Sequence, residues 1–460
     1  MFKRALRIWP VVLVALAASP ASAKKYTLQE LIDLSRANPL LQAGAAATAA
    51  MQAQVTEARL NWLPQGSILS ILAPSPQQEC FNSWGVHDVN QCVTTSTPEA
   101  TLSNVSWTHV FTHTEVQLIQ PIWDFGKISA GVAAAKAGVE VSRQKEAGTR
   151  ADMELNVRKA YYGLKLAREV LDTLAEGAGY VEDAQQHIDK DLAKGTGSST
   201  VTDRLRLRTV HADLDARTLE TKRLQTLARD SLRAIIGPQA PGDIDVDEEE
   251  FEPPEVVNRP VTYYEDLAKV YRPEVKLLAA GVKAKQALAD LERRKEYPDL
   301  IIVAGAVIAR AQTVDNPTNA FYSHYYNSTT AGVAAGLRIP LDLGPRIARS
   351  QRAAREADEV GYQQSAAMSG ILLEVHKAFG EVSEARDRVA SMEKGQKAGK
   401  AWISAVAQNF ALGLAETRDF SDALIAFFGM RTRYLQAVYD LDIALSSLAR
   451  ATGVQDFKSL

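Results

Sequence analysis

The chain is poor in the features that usually carry chemistry. Cysteine occurs only twice in 460 residues, as Cys80 and Cys92. Two thiols alone make a poor metal site, and no cysteine nucleophile is identified. No serine, histidine and aspartate can be placed as a triad, and there is no glycine-rich phosphate loop, so neither catalysis nor a cofactor is expected. His109 and His113 would share a face in a strand but lie about 13 Å apart by strand rise, with no third ligand in view. No metal site is expected. Neither sign of charge dominates: 52 basic and 55 acidic residues give a net charge of −3, which argues against nucleic acid as a partner. Beyond the N-terminus there is no run of eighteen apolar residues, so no membrane-crossing helix is expected.

The N-terminus reads as a secretory signal. Lys3, Arg4 and Arg7 open it, Val11 to Ala18 form the apolar stretch, and Ala21-Ser22-Ala23 supply the small-residue cleavage site. Cleavage would take the net charge from −3 to about −6. No cysteine follows the site, so no lipid anchor is expected there. In an exported protein, Cys80 and Cys92 are expected to form a disulfide across a loop rich in Ser, Thr, Asn and Pro.

The remainder is written twice. The series Met153, Val157, Ala160, Leu164, Ala167, Leu171, Leu174 reappears, with every number raised by 218, as Ile371, Val375, Ala378, Val382, Ala385, Val389, Met392. Both step 4, 3, 4, 3, the spacing of a coiled-coil seam. The same shift carries Asp124 to Asp342, Gly126 to Gly344 and Gly195 to Gly413. Such a constant offset requires long rigid helices of equal length. We expect helices over 127–192 and 346–410, each about 100 Å long at ~1.5 Å per residue, and return helices over 199–236 and 416–452.

Each repeat follows one programme. After the signal at 1–23, residues 24–64 form a first helix starting near Thr27, with Glu30 as its capping-box partner. Residues 65–120 are non-helical, and 121–236 form the long helical hairpin. An acidic, proline-bearing connector, 237–260, includes Asp247-Glu248-Glu249-Glu250 and reads as a solvated linker. The programme then repeats as a helix (261–298), a non-helical stretch (299–339) and a long hairpin (340–453), with a tail at 454–460. Pro64, Pro121, Pro298 and Pro340 bracket the non-helical stretches, where a fixed φ and a missing donor break helices. Inside these stretches the period becomes two. Ala331, Val333, Ala335, Leu337 and Ile339 face one way, and Gly332, Ala334, Gly336 and Arg338 the other; Val116 and Leu118 likewise oppose Glu115 and Gln117. That alternation suits a strand between lipid and a wet lumen; a hairpin on a soluble core gives the same pattern. Trp62, Trp123 and Tyr297 beside the breaks, and Phe321, Tyr322, Tyr325 and Tyr326 at the other end, suit two interfacial belts.

Gln120-Pro121-Ile122-Trp123-Asp124-Phe125-Gly126-Lys127, its degenerate copy Ile339-Pro340-Leu341-Asp342-Leu343-Gly344, and Gly413 followed by Asp419 and Asp422 resemble the TolC-like outer-membrane efflux protein family over nearly the whole mature chain. The resemblance implies a mainly α protein with a transmembrane β part. Two β-hairpins per subunit, the first with an extracellular loop, would build a trimeric 12-stranded barrel. The duplicated coiled-coil hairpins would build a periplasmic helical barrel, with 237–260 at its equator. It implies a passive exit duct for efflux or type I secretion in a Gram-negative outer membrane. The partners would be outer-membrane lipid, a periplasmic adaptor and an inner-membrane pump. A periplasmic coiled-coil adaptor is the alternative reading. Four strands cannot close a barrel alone, so oligomerisation follows if they span lipid. The matching aspartates of the family line the periplasmic constriction, which assigns Asp419 and Asp422 to acidic rings; two ordinary aspartates in a first helical turn would look the same. At the same offset the first repeat has Val201 and Arg204, so the rings would come from the second repeat alone. The turns at Gly195 and at Gly413-Leu414 match the adaptor-contacting tips.

Overall fold

The computed structural model describes residues 24–92, 94–95, 105–194, 199–247, 251–257, 259–316, 325–412 and 414–454. The signal, Gly195, Gly413, Phe321, Tyr322 and residues 248–250 lie outside them. The elements run β1 (Lys24–Tyr26), α1 (Leu28–Ser35), α2 (Pro39–Leu60), β2 (Gln65–Pro76), β3 (Cys80–Phe81), β4 (Thr94–Thr95), β5 (Val105–Trp123), α3 (Lys127–Lys194) and α4 (Val201–Ile236). Then follow β6 (Ile244–Val246), α5 (Val261–Tyr271), α6 (Pro273–Arg294), β7 (Asp299–Ala311), β8 (Ser328–Arg338), α7 (Leu343–Ala411) and α8 (Thr417–Thr452). The chain forms two compact units.

One unit, Met1–Ala43, Gly148–Arg272 and Ile371–Leu460, holds the coiled-coil seams. Every member of the two apolar series is buried except Leu171 and Met392, which are half-buried. The first seam packs on Leu31, Ile32, Leu232, Ile236, Ile244 and Val246. The second packs on Tyr264, Leu435, Val438, Leu441 and Leu445. Further along, Val181 and Ile188 of α3, Leu207 and Leu214 of α4, Ile403 and Phe410 of α7, and Phe420 and Phe427 of α8 merge into one core.

The first helix of each repeat is not continuous, contrary to the expectation from sequence. It breaks before Pro39 and Pro273, because proline is tolerated in a first helical turn but cannot continue a helix through it. The break serves the same end in both repeats. Asn38 donates to the Ile235 carbonyl at 2.6 Å, and Arg272, its counterpart in the second repeat, donates to the Ala451 carbonyl at 3.2 Å. These two carbonyls are equivalent, close to the ends of α4 and α8, so each break residue caps the returning helix of its own repeat. Gly237 (φ +85) and Gly453 (φ +77) end those helices. A Cβ on Gly453 would lie 2.5 Å from the Arg272 backbone, so a side chain is excluded there by conformation and by space.

The connector is not a solvated linker in its described part. β6 pairs in parallel with β1, and Ile244 and Val246 are fully buried. The Asp247 carboxylate receives the Tyr161 hydroxyl at 2.7 Å and pairs with Lys165 at 2.8 Å. Arg168 donates to the Asp247 carbonyl at 3.0 Å. Tyr161, Lys165 and Arg168 share one face of α3 and hold the connector against it.

The other unit, Gly44–Ala147 and Pro273–Gly370, contains one antiparallel four-stranded sheet of order β2-β5-β7-β8. The hairpins of both repeats thus join edge to edge, leaving β2 and β8 as edges. β5 has 19 residues, longer than the alternation alone suggested. Pro121 lies within it, where the ladder to β7 shifts register; lacking an N–H, it interrupts pairing without ending the strand. Pro64 and Pro298 stand just before β2 and β7, and Pro340 follows β8.

Candidate functional site

The sheet has two unlike faces. The register places Ile68 and Leu72 of β2, Val116 and Leu118 of β5, Ile302 and Ile308 of β7, and Val333 and Leu337 of β8 on one side. Ile68, Leu72 and Val333 are each about three-quarters exposed. The opposite side is mixed: it carries Ser67, His113, Glu115, Gln117, Gly332 and Arg338 beside the apolar Leu69, Ile71, Ile119, Val303 and Val307. Nothing in the chain covers the apolar face among the described residues, and burying such a surface in water-free surroundings is strongly favourable.

The aspartate that the two junction motifs share plays a different part in each. Asp124 accepts from the Gly126 and Ile128 N–H groups at 3.0 and 2.6 Å, which caps α3. Asp342, its counterpart, pairs instead with Arg346 at 2.6 Å. In the first repeat Lys127 also binds Asp299 at 2.6 Å, and Arg338 reaches the same carboxylate at 3.0 Å. Trp123, Phe125 and Tyr297 pack in sequence beside this pair, the last two stacked at 5.7 Å.

At the hairpin turns, Asp419 and Asp422 are both exposed on the first turns of α8. Arg418 lies 3.8 Å from Asp422. Among the described residues Asp419 makes no hydrogen bond or ion pair. Leu412 and Leu414 are exposed at the α7–α8 turn. Phe410 stacks on Phe420 at 4.9 Å and closes the base of that turn.

The equivalence drawn from the constant offset needs correcting here. α4 and α8 both contain 36 residues and match over 201–236 and 417–452, a shift of 216, because the first repeat holds two more residues between its seam and its return helix. The counterpart of Asp419 is therefore Asp203, not Val201, and that of Asp422 is Arg206. Asp203 is engaged in a capping box. It accepts from the Thr200 hydroxyl at 2.6 Å and the Thr200 N–H at 2.9 Å, while its own N–H donates to Thr200 at 3.2 Å. Burial works against its carboxylate, but these bonds, together with the nearby Thr417 hydroxyl and Arg206, hold its pKa below the ordinary value. α8 has Glu416 at its N-cap, with no side-chain cap bond. The same aspartate is thus bound in one repeat and free in the other. Between the two helix starts lies a cavity of about 490 Å³ lined by His187, Asp191, Asp203, Phe410, Glu416 and Thr417.

Cys80 and Cys92 are joined, with their Cα atoms 5.1 Å apart. Their loop is tied to the second hairpin by Asp315, which accepts from the Cys80 N–H at 3.0 Å and meets His87 at 2.6 Å. His113 stacks on Tyr325, 5.8 Å between ring centres. Among the described residues no three metal-ligating side chains converge, and no helix is long and apolar enough to cross a membrane.

An exposed apolar sheet face, in a chain of duplicated helical hairpins, is what the sequence match explains. Residues 93–238 and 266–454 match the outer membrane efflux protein family, one segment in each repeat. The chain belongs to that family. Its helical and sheet arrangement resembles CusC, seen in crystal structures, with a TM-score of 0.73 at 15% identity, covering 94% of this chain and 93% of that one. The MtrE outer membrane channel of Neisseria gonorrhoeae, in its open state, gives 0.69 at 15% identity, covering 93% and 89%. By sequence, the cobalt-zinc-cadmium resistance protein CzcC of Cupriavidus metallidurans is 25% identical over 345 residues, 73% of this chain and 76% of CzcC. This is a family of outer membrane efflux channels and not of enzymes.

Proposed function

We propose that three copies of this chain form the outer-membrane exit duct of a tripartite efflux system in a Gram-negative envelope. The observation that carries the reading is the four-stranded sheet with one uncovered apolar face and two open edges. A lipid-facing sheet with unpaired edges is untenable alone, and pairing β8 of one copy with β2 of the next closes twelve strands around a lumen lined by the face that holds Glu115, Gln117 and Arg338. The helical hairpins extend into the periplasm, and a periplasmic adaptor docks at the turns, with Leu412 and Leu414 as its apolar contacts. An inner-membrane pump supplies the energy.

Asp419 and Asp422, three copies of each, form the constriction and favour cations. Divalent metal cations are the cargo class to test first: the acidic constriction suits them, and the relative CzcC is a cobalt-zinc-cadmium resistance protein. Opening separates the start of α8 from the start of α4, where Thr417 now meets Asp203.

Planar-bilayer conductance of the purified protein tests this reading. Cation-selective channels are expected, and Asp419→Ala with Asp422→Ala should abolish the selectivity while conductance persists. A protein without conductance sinks the duct. Locking Asp203→Cys to Thr417→Cys should stop export; full export through the locked tip sinks the gate.

A further inference from the structure

We propose that the start of α7 binds the phosphate groups of anionic phospholipid at the periplasmic edge of the membrane, through Arg349, Arg352 and Arg355. The proposal rests on the lipid-facing reading of the sheet. From Asp342 to Arg355 the chain carries four arginines and a single acid. Arg346 is consumed internally, by Asp342 and by the Lys295 carbonyl at 2.8 Å. The other three stay accessible, and Arg352 and Arg355 are 74% and 86% exposed.

Their partners are solvent-exposed: Asp342 lies 3.2 Å from Arg349, Glu356 3.6 Å from Arg352, and Asp358 3.2 Å from Arg355. Pairs of this kind contribute little and exchange readily for another anion. The helix itself gains little from them: the i,i+4 pair Arg352–Glu356 and the i,i+3 pair Arg355–Asp358 each stabilise it only weakly.

Two further observations select a lipid surface as the occupant. The apolar sheet face, which Leu337 closes in β8, is followed directly by further exposed apolar side chains: Ile339 and Leu341, just past the strand, are 58% and 93% exposed. A surface that turns from bare hydrocarbon side chains to guanidinium groups within three helical turns has the profile of a lipid leaflet, acyl chains and then phosphate. The duplication supplies an internal control. The positions matching Arg349, Arg352 and Arg355 in α3 are Gly131, Ala134 and Ala137, and Ala134 is buried. Only the second repeat carries the basic stripe.

The test reconstitutes the full-length protein into vesicles of phosphatidylethanolamine, alone or with phosphatidylglycerol. Lipid retained after detergent extraction is read by native mass spectrometry. Wild-type protein is expected to retain phosphatidylglycerol selectively. Replacing Arg349, Arg352 and Arg355 with Gln should lower that preference by about five-fold per residue lost, and Lys136→Gln with Arg143→Gln in α3 should leave it intact. Single-channel conductance of the triple variant checks that the duct still assembles. Conducting channels with an unchanged phosphatidylglycerol preference overturn the lipid site alone. A protein that enters neither vesicle overturns the membrane reading and the site with it.

Discussion

α4 and α8 are both 36 residues long and both are ended by a glycine at positive φ, yet α8 buries nineteen residues and α4 only five. Leu205, Leu219, Leu224 and Leu227 of α4 are exposed, whereas Phe427, Leu441 and Leu448 of α8 are enclosed. Length and termini are fixed by backbone geometry that both repeats must share. The composition of each face is set by what surrounds the helix, and there the copies diverge. An exposed leucine face on a helix of this length is a surface awaiting a neighbour, which agrees with the assembly of three copies proposed above.

The sharpest way to break the comparison is to truncate one side chain from each helix. Phe427→Ala should lose about 3–5 kcal/mol of stability, while Leu219→Ala should change an isolated chain by no more than about 0.5 kcal/mol. Denaturant unfolding measures both. A loss above about 1 kcal/mol for Leu219→Ala in the assembled protein would show that another copy covers α4.

A second difference concerns charge. Asp442 of α8 is buried, and burial pushes its pKa up to about 7, with Lys165 acting in the opposite direction. Its counterpart in α4 is Thr226, exposed to water. A carboxyl whose folded pKa exceeds its unfolded value binds a proton more tightly when folded. The stability it contributes is full below about pH 4 and is lost as pH rises through about 7, a change on the order of a few kcal/mol. Asp442→Asn should flatten that part of the profile of melting temperature against pH; an unaltered profile would assign it to other groups.

The smallest effects belong to the caps. Thr200→Ala should cost about 1 kcal/mol by removing the capping box of α4. Glu416→Thr should give α8 the box it lacks, engage Asp419 and slow hydrogen exchange in its first turn. If exchange there does not slow, the missing cap is not what leaves Asp419 free.

Much of this architecture was legible because helices tolerate no insertion within a seam. The offset of 218 found α3 and α7, and the two-residue alternation in β8 found a sheet face. The offset misled beyond the turn, where two extra residues in the first repeat moved Asp203 out of correspondence with Asp419. Pairing Pro39 with Pro273 revealed the repeat but not the break, since proline fits a first helical turn as well as a gap. β1 and β6 were invisible, being three residues each with no period to read. Asp247 looked solvated because its partners, Tyr161, Lys165 and Arg168, lie far away in sequence.

The pairing of β1 with β6 bears on the order in which the chain can fold. Lys24, ahead of the first helix, meets Ile244, which follows the whole of the first long hairpin. β5 must likewise wait for β7, a strand of the second repeat, before its second edge is satisfied. Contacts of such separation form late, because the intervening loop must be closed before they reward it. A chain delivered from its N-terminus would therefore complete its helical hairpins first, from local contacts. Its sheet would remain incompletely paired until most of the second repeat had emerged.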